Sequence, residues 1–374
     1  MFVRRFLPYS QTFIHDEIRT HERYTVDVFC RSRLNENRFP HNRVVTPSAF
    51  GSDWLGARLY ENLGYWPPFD TRLGDTDYAL VHAHFGTEAV YALPYVVRHD
   101  YPFIVTFHGA DVADLFGPRR FLPRQWRYWS LAGRIFETAD RLLAASTELA
   151  ELLVELGAPR DKVHVHRLGI DLSTFRRAEE ERAEPRITMV GRFTEKKGFR
   201  YALRACGQVL TGDTPGTITM LGNGELEPDL RRIVRETNLG DRVDFRGAVP
   251  HDEVAETLAR TDIMMCPSVV TATHDRDSGL IVAKEASACE VPVIGTYHGG
   301  IPSIVDDRKT GLLVPERDVD ALADALHTLL HDADLRRQLG KAARTKMEKE
   351  FDLATQIQKL ERHYDDIQER RRSR

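Results

Sequence analysis

Short apolar runs alternate along most of the chain with longer segments in which apolar residues recur every three or four positions. The short runs are typical of strands buried on both faces of a parallel sheet, and the longer segments are typical of the helices that cover it. In the first half, the runs that predict strands are 25–30, 79–83, 103–106, 141–144 and 163–167. Helical spacing predicts helices between them, for example at 88–98 and 147–156.

A charged stretch, 176–185, interrupts the alternation and predicts a linker. Beyond it the predicted strands are 186–190, 217–221, 243–246, 263–266 and 291–294, and the predicted helices are 199–210, 227–237, 252–260, 282–288 and 319–331. The pattern therefore predicts an α/β protein with two Rossmann-like doubly wound domains, 1–175 and 186–350, that face each other across a cleft. The last segment, 351–374, is predicted to be helical.

Length and composition limit the possible classes of protein. A chain of 374 residues is too long for one ordinary core and fits two domains. Its net charge of -4 argues against a nucleic-acid partner. Its four cysteines are too widely spaced along the chain for a disulfide framework or a zinc ribbon. No apolar run approaches the ~20 residues that span a bilayer, and the first residues lack the apolar centre of a signal peptide. We therefore expect a cytoplasmic protein.

Two cations follow the predicted strand 186–190, in the segment from Gly191 to Gly198. Arg192 offers a planar fork and Lys197 a compact charge, which together suit a diphosphate. Such a pair would stabilise the negative charge that develops on a nucleoside diphosphate leaving group. The alternative is a solvated loop with surface cations.

Two carboxylates, Asp277 and Glu285, flank the start of a predicted helix. Glu285 stands among small apolar residues, where an unpaired carboxylate would be costly. A ribose diol would satisfy it. The alternative is that Glu285 lies on the surface of the helix and pairs with an Arg or Lys. The helix would open with N–H groups that bind a diphosphate, those of Gly279, Leu280 and Ile281.

These motifs resemble those of the family 4 retaining glycosyltransferases of the glycosyltransferase-B fold, in particular the members that build bacterial exopolysaccharides such as colanic acid. The resemblance implies that Arg192 and Lys197 hold the donor diphosphate, that Glu285 binds the ribose and that Asp277 approaches the donor sugar. Asp277 departs from the family pattern, in which a Glu stands here and is followed at once by glycine. The resemblance also implies that no metal or other cofactor is needed, and that 351–374 crosses back to the first domain.

His108 follows the predicted strand 103–106, at a carboxyl end where open sheets bind ligands. A capping histidine in a turn is the alternative. The resemblance places His108 beside the donor sugar and the acceptor, in one catalytic set with Asp277 and Glu285. It also implies three residues on the acceptor side: His84, Gln11 and Asp111.

His82 and His84 stand two positions apart on a predicted strand, so that both imidazoles would share one face. Because no carboxylate is expected nearby, we predict no metal site there. A glycine-rich loop follows the predicted strand 217–221, but Glu227 occupies the third glycine position of the dinucleotide fingerprint. The resemblance instead implies a region near the nucleotide base, formed by Gly222, Arg246 and Val249.

The stretch 115–136 interleaves arginines with aromatic residues and contains no acid. This composition is typical of an interfacial helix or of a groove for a lipid-linked diphosphate, and it predicts peripheral contact with the inner face of the cell membrane. The alternative is a helix whose aromatic residues face the core and whose arginines face solvent.

The sequence thus leads us to expect a retaining transfer of a hexose from a UDP- or GDP-hexose to a sugar, glycolipid or lipid-linked oligosaccharide. By the resemblance, the departing phosphate would accept the proton of the attacking hydroxyl on the same face. Two alternatives remain open at this point. One is a nucleotide-sugar epimerase of the same architecture, and the other is a non-catalytic protein that binds nucleotide sugars.

Overall fold

The computed structural model describes residues 1–7, 11–47, 53–116, 123–178, 184–277 and 279–373, with the backbone alone at 53–55, 57, 59, 123 and 124. Tertiary contacts divide the chain into two compact units. Unit 1 consists of Met1–Gly169 and Leu353–Arg374, and unit 2 of Ile170–Asp352. Each unit has its own parallel sheet.

The described strands of unit 1 are β1 (Arg5–Phe6), β2 (Val28–Phe29), β3 (Ser32–Arg33), β4 (Val44–Val45), β5 (Val81–His84), β6 (Phe103–Phe107), β7 (Arg141–Ala144) and β8 (Val163–Val165). Its described helices before the crossing into unit 2 are α1 (Thr12–Thr20), α2 (Asp53–Leu63), α3 (Pro67–Asp75), α4 (Gly86–His99), α5 (Ala110–Phe116), α6 (Pro123–Thr138) and α7 (Thr147–Glu155). The central sheet has the order β5-β6-β7-β8, with every pair parallel. Phe2 bridges Phe29 and Ala83, which ties β2 to the edge of this sheet.

Local sequence explains why the helices of unit 1 begin and end where they do. The side chain of Ser146 caps α7 by accepting the N–H of Leu149 at 3.2 Å. Gly157 follows the end of this helix with a φ of +94°, a conformation that glycine adopts without strain. The predicted helix 147–156 therefore agrees with the structure to within one residue.

The described strands of unit 2 are β9 (Arg186–Val190), β10 (Thr217–Leu221), β11 (Val243–Gly247), β12 (Ile263–Cys266), β13 (Val293–Thr296) and β14 (Gly311–Val314). Its described helices are α8 (Phe199–Val209), α9 (Glu227–Glu236), α10 (His251–Ala259), α11 (Ile281–Ala288), α12 (Ile301–Ile304), α13 (Val319–His331) and α14 (Ala333–Glu350). The six strands form one parallel sheet in the order β11-β10-β9-β12-β13-β14. Alternate strand residues enter two apolar clusters, one with α8 and α13 and the other with α11 and α12. The α/β class is thus confirmed in both units.

The final helix, α15 (Leu353–Arg372), belongs to unit 1. The hydroxyl of Tyr364 lies 2.8 Å from Nδ1 of His82, and the carboxylate of Glu361 accepts the backbone N–H groups of Glu22 and Arg23 at 2.9 and 3.0 Å. Arg141 forms an ion pair with Asp366 at 3.3 Å. These contacts fasten the helix to the first part of unit 1.

The chain passes between the units at 169–170 and at 352–353. Ile170 and Phe175 are buried in the apolar core of unit 2, and the N–H of Ile170 donates to the carbonyl of Phe351 at 2.9 Å. Packing therefore assigns 170–175, which the predicted first domain included, to unit 2. Residues 179–183 of the predicted linker lie outside the described residues.

Several strand predictions differ from the structure. The run predicted at 25–30 contains only the two-residue strand β2, and the two-residue strands β3 and β4 were not predicted. The predicted strand 291–294 is displaced to β13, because Pro292 has no N–H to donate to the ladder. Strand β14 was not predicted, since its run of four residues is short and begins with glycine.

Two further observations concern disulfide bonds and membrane-spanning helices. All four cysteines are buried and free of disulfides. Within the described residues, we find no helix with the length and apolar character required to cross a membrane.

Candidate functional site

In unit 2, the loops after β9 and β10 touch through their backbones. The N–H of Gly191 donates to the carbonyl of Leu221 at 2.9 Å. A Cβ placed on Gly222 would lie 1.9 Å from the carbonyl oxygen of Gly191, and Gly222 has a φ of +134°. Both observations require glycine at this position. At the carboxyl ends of these two adjacent strands, Gly191 and Gly222 therefore form a close-packed backbone surface without side chains.

The side chain of Lys197 folds back over the backbone of Gly191. It ends a 3-10 turn that Gly198 closes with a φ of +64°, and its Nζ lies 2.5 Å from Oδ2 of Asp277. The neighbouring Lys196 turns to a different acid, Asp275, at 3.2 Å. The side chain of Arg192 is exposed and forms no ion pair with any residue the structure describes. The loop thus presents two lysines that are engaged in ion pairs and one arginine that is open to a ligand.

Asp277 is held as an anion. Burial raises the pKa of its carboxyl group, but the charges of Lys197 and Lys196 outweigh burial and hold that pKa below its usual range. The hydroxyl of Ser268 also donates to Oδ2 at 3.3 Å. The predicted sugar-orienting acid is therefore the counter-ion of the predicted diphosphate-binding lysine.

The backbone at Asp277 is fixed by a buried histidine that the sequence did not reveal. The N–H of Asp277 donates to Nε2 of His298 at 3.0 Å, so the ring proton of His298 lies on Nδ1. Nδ1 lies 2.7 Å from Oε1 of Glu316 and donates to it. The other oxygen of Glu316 accepts the N–H of Val270 at 2.9 Å. His298 and Glu316 thus hold the loop after β12 at both of its ends.

Helix α11 opens immediately after this loop. Leu280 is its N-cap with a φ of 25°, Gly279 precedes it, and Ile281 is its first residue, one position earlier than predicted. The first N–H groups of a helix lack acceptors within the helix and favour an anion. Ser278 lies outside the described residues.

Glu285 lies one turn inside α11 and is 4% exposed. Nε2 of His251, the first residue of α10, lies 2.7 Å from Oε1 of Glu285. An Arg or Lys partner was one of the expectations for this carboxylate, and the structure corrects it to a histidine. His251 was not predicted, because its imidazole comes from a different helix and no local motif marks it.

The predicted base region is divided in the structure. Gly222 contacts the loop of Gly191, as described above. Arg246 is exposed, and its Nε lies 2.8 Å from the carboxylate of Asp244. It lines a polar groove of about 620 Å³ along one face of the sheet. Val249 is half-buried just before α10.

In unit 1, Asp111 fastens the loops after β5 and β6. Its two oxygens accept the backbone N–H groups of Gly86, His108 and Gly109 at 2.8, 3.1 and 2.9 Å. Burial raises the pKa of Asp111 to about 6, against the opposing effect of these hydrogen bonds. The carboxylate is buried and holds the backbone around His108, and its place on the acceptor side stays a prediction.

His84 and His108 end adjacent strands and meet. Nδ1 of His84 lies 3.2 Å from Nε2 of His108. His84 is fully buried, and its place on the acceptor side stays a prediction. Gln11 is half-buried at the N-cap position of α1, and the three residues before it lie outside the described residues.

A carboxylate does lie near His82 and His84, contrary to expectation. Helix α1 brings Oε1 of Glu17 to 3.0 Å from Nε2 of His84, and the polar atoms of these three residues lie within 4.8 Å of one another. Both nitrogens of His82 have hydrogen-bond partners, the hydroxyls of Tyr364 and Thr106. Burial lowers the pKa of His82 well below its usual value. The cluster is therefore a hydrogen-bonded network in this structure.

The described part of the stretch 115–136 includes the end of α5 and most of α6, and it shows both of the expected arrangements. Tyr128 and Phe136 are buried, whereas Trp126 and Trp129 are 65% and 48% exposed. Arg127 donates to the carbonyl of Leu63 at 2.7 Å. Arg119 and Arg120 lie outside the described residues, as does the side chain of Arg124.

Two family models match consecutive parts of the chain. Residues 18–174 match "Glycosyltransferase Family 4", and residues 173–346 match "Glycosyl transferases group 1". WcaL of Escherichia coli (strain K12), which is assigned as a colanic acid biosynthesis glycosyltransferase, is 34% identical over 72% of this chain and 66% of its own length. The amylovoran biosynthesis glycosyltransferase AmsK of Erwinia amylovora is 32% identical over 66% of this chain and 60% of its own length. The chain thus spans under two thirds of the length of these relatives.

Solved structures show the same fold at lower identity. HepE of Anabaena in complex with UDP matches with a TM-score of 0.76 at 17% identity, covering 97% of this chain and 98% of HepE. Sucrose-phosphate synthase of Thermosynechococcus elongatus matches with a TM-score of 0.74 at 23% identity, covering 98% of this chain and 96% of the synthase. The two family models together cover residues 18–346, and the solved structures share the fold. This chain therefore belongs to the family 4 and group 1 glycosyltransferases of the glycosyltransferase-B fold.

Proposed function

We propose that this chain is a retaining glycosyltransferase that transfers a hexose from a nucleoside diphosphate donor to a hydroxyl in the synthesis of a polysaccharide or glycolipid. The observation that carries the proposal is the position of Lys197, folded over Gly191 with its ammonium group against Asp277. This arrangement places a cation, an acid and close-approaching backbone at one sheet edge. Membership in a glycosyltransferase family supports the same conclusion.

The diphosphate would bind between Lys197, Arg192 and the start of α11. Lys197 would exchange part of its interaction with Asp277 for phosphate oxygens, and the exposed Arg192 would add a bidentate contact. The first N–H groups of α11 would bind the same anion. Because these groups supply the positive charge that the leaving group needs, we propose a reaction without a metal cofactor.

The ribose would bind at Glu285. Its carboxylate is buried one turn inside α11 and is oriented by His251, so its acceptor capacity is fixed in place. HepE, a protein of the same fold, was solved with UDP and with UDP-glucose, which favours uridine as the base. Gly222 would keep the loops after β9 and β10 close together beside the base.

The sugar would be oriented by Asp277 and by His108. An acceptor hydroxyl would attack the anomeric carbon on the face from which the diphosphate departs, and the departing phosphate oxygen would take its proton. The bond that forms joins the anomeric carbon to the acceptor oxygen, and the bond that breaks joined the anomeric carbon to the phosphate oxygen. Asp277 as a counter-ion of Lys197 would keep that lysine in position throughout.

Unit 1 would receive the acceptor and contact the membrane surface that carries it. Trp126 and Trp129 are exposed about one turn apart on α6, and Arg134 is exposed elsewhere on the same helix. Exposed aromatic and cationic side chains on one helix suit an anionic lipid interface. Vesicle flotation tests this part: native protein should float with vesicles rich in anionic lipid, and a Trp126→Ala, Trp129→Ala variant should not.

One transfer assay separates the proposed reaction from its alternatives. The chain is incubated with UDP- and GDP-hexoses, with and without lipid-linked sugar acceptors, and both the released nucleotide and the anomeric configuration of the product are measured. We expect acceptor-dependent release of one nucleoside diphosphate and a product with the configuration of the donor. A changed sugar on the nucleotide without acceptor would indicate an epimerase. Tight binding without release would indicate a binding protein, and an inverted product would contradict retention.

A further inference from the structure

Helix α1 directs two side chains at the histidines of unit 1. Phe13 and Glu17 are four residues apart and so share one face of the helix. The ring of Phe13 lies 5.0 Å from the ring of His108, and the carboxylate of Glu17 lies 3.0 Å from Nε2 of His84. Glu17 is 4% exposed, so a ligand would not reach it directly. Its effect on chemistry would have to pass through His84.

The contact between His84 and His108 has the geometry of a hydrogen bond in the ring planes. The ring centres are 5.4 Å apart and the planes differ by 14°, while the two nitrogens are 3.2 Å apart. The two rings therefore meet edge to edge through these nitrogens, and their faces do not overlap. Phe13 and Phe85 pack against His108, with ring centres 5.0 and 4.4 Å away, and restrict its orientation.

Glu17 determines where the protons of this row can lie. Burial raises the pKa of Glu17, but neighbouring histidines, His84 first among them, outweigh burial and lower it, so the group is a carboxylate that only accepts. His84 therefore carries a proton on Nε2. Its Nδ1 either accepts the Nε2 proton of His108 or, when His84 is a cation, donates to Nε2 of His108.

We propose that Glu17 is a positioning residue that acts through His84 to set the hydrogen-bonding state and orientation of His108. The row Glu17–His84–His108 resembles in its logic other acid–histidine pairs, in which a buried carboxylate fixes the tautomer of a histidine that does the chemistry. The role given to His108 rests on the proposed function, whereas the coupling of the three residues rests on their geometry alone. An amide at position 17 would keep the shape of the side chain and remove its charge.

The coupling is tested without any substrate. Ring ¹⁵N resonances of histidine-labelled full-length chain are recorded for native protein and for Glu17→Gln, with His84→Asn and His108→Asn used for assignment. We expect the resonances of both His84 and His108 to shift in Glu17→Gln. The control is Glu88→Gln, another buried acid of unit 1, which pairs with Arg4 and should leave both resonances in place.

A shift of His84 alone would overturn the proposal, since Glu17 would then not reach His108. A change of the native resonances on addition of one equivalent of Zn²⁺ would also overturn it, because the cluster would then be a metal site. If Glu17→Gln does not fold, Glu17→Asp withdraws the charge by one methylene and is compared in the same way.

Kinetics give the second readout once a donor and an acceptor are known. Glu17→Gln should lower kcat by roughly ten- to a hundredfold, by analogy with the partners that orient metal-binding histidines. The KM for the donor should stay unchanged, as should both constants in Glu88→Gln. An unchanged kcat in folded Glu17→Gln would overturn the proposal. The resonance experiment needs no turnover, so it tests the coupling of Glu17 to His108 even if the chain transfers no sugar. Failure of the proposed function and failure of this proposal can therefore be distinguished.

Discussion

The ammonium nitrogen of Lys197 lies 2.5 Å from Oδ2 of Asp277, with the two side chains 15% and 14% exposed. The sequence separates these residues by the whole stretch from β9 to α11, and the sheet unites them because parallel strands end at one edge. The pair has two consequences. It stabilises the loops of unit 2, and it keeps a cation in place for a diphosphate.

The first prediction concerns the stability of this pair. Lys197→Met leaves the mostly buried carboxylate of Asp277 without its main partner, so we expect unit 2 to lose about 3 kcal/mol of unfolding free energy. Asp277→Asn should cost a similar amount, and the double variant should cost much less than the sum. Hydrogen exchange resolved to peptides of unit 2 measures these free energies.

Lys196→Met is the matched control, since the same loop supplies Lys196 and its partner is Asp275. Its coupling to Asp277→Asn should be markedly weaker than that of Lys197→Met. Additive effects of Lys197→Met and Asp277→Asn would show that the ion pair does not act as described.

The second prediction concerns ribose recognition by Glu285. If its carboxylate binds a ribose hydroxyl, native protein should bind 2′-deoxy-UDP at least about tenfold more weakly than UDP, since hydrogen bonds to charged groups contribute about 1.5–3 kcal/mol. Glu285→Gln should bind both nucleotides with nearly equal affinity. Calorimetric titration measures all four constants.

His251→Ala serves as the control for the second prediction, because it removes the partner of Glu285 and leaves the carboxylate. We expect it to retain a preference for UDP. Equal discrimination in native protein and Glu285→Gln would place the ribose elsewhere.

The third prediction concerns the backbone contact at Gly222. Gly222→Ala would place a Cβ 1.9 Å from the carbonyl oxygen of Gly191, so the loops after β9 and β10 must separate. We expect loss of nucleotide binding and a destabilisation above the ~1 kcal/mol that a left-handed alanine costs by itself. Gly212→Ala separates the two effects, since Gly212 has a φ of +56° with open space around its Cβ position. Nucleotide binding that survives Gly222→Ala would contradict the close approach.

The fourth prediction concerns the pH dependence of unit 1. Burial raises the pKa of Glu88 from 4.5 to about 7. Between these values the folded chain keeps a proton that the unfolded chain releases, so stability falls as pH rises. Glu88→Gln removes this effect, and its stability relative to native protein should rise from pH 4.5 to 7 by on the order of 3 kcal/mol.

Tryptophan fluorescence reports this transition, since all four tryptophans, at 54, 66, 126 and 129, belong to unit 1. Denaturant unfolding at several pH values gives the free energies. Glu151→Gln, an exposed acid paired with Arg160, should show a constant difference from native protein. A constant difference for Glu88→Gln as well would contradict the raised pKa.

The sequence predicted the elements whose signal is local. Strands β9, β10 and β12 are short segments rich in apolar and β-branched residues, and the structure confirms their bounds. Strand β14 escaped prediction because its signal is short. The edge where the site lies also followed from the strand order along the chain, since loops after parallel strands share one edge.

The partners of the predicted site residues could not be predicted, because only tertiary folding brings them together. Glu17 reaches His84 from a helix that precedes it by 67 positions, and His298 supports Asp277 from 21 positions away. No local pattern links either residue to its partner. Burial was equally hidden, since Asp111 and His84 follow strands as ligand-binding residues do, yet both are covered in the fold.

The most direct test of the central claim is calorimetric titration of UDP and GDP into native protein, Lys197→Ala and Lys196→Ala. The account predicts that one of these nucleotides binds native protein and Lys196→Ala alike, and that Lys197→Ala weakens this binding at least about tenfold, or about 1.4 kcal/mol. Binding that is unaffected by Lys197→Ala, or no binding of either nucleotide to native protein, would contradict a diphosphate site at this lysine.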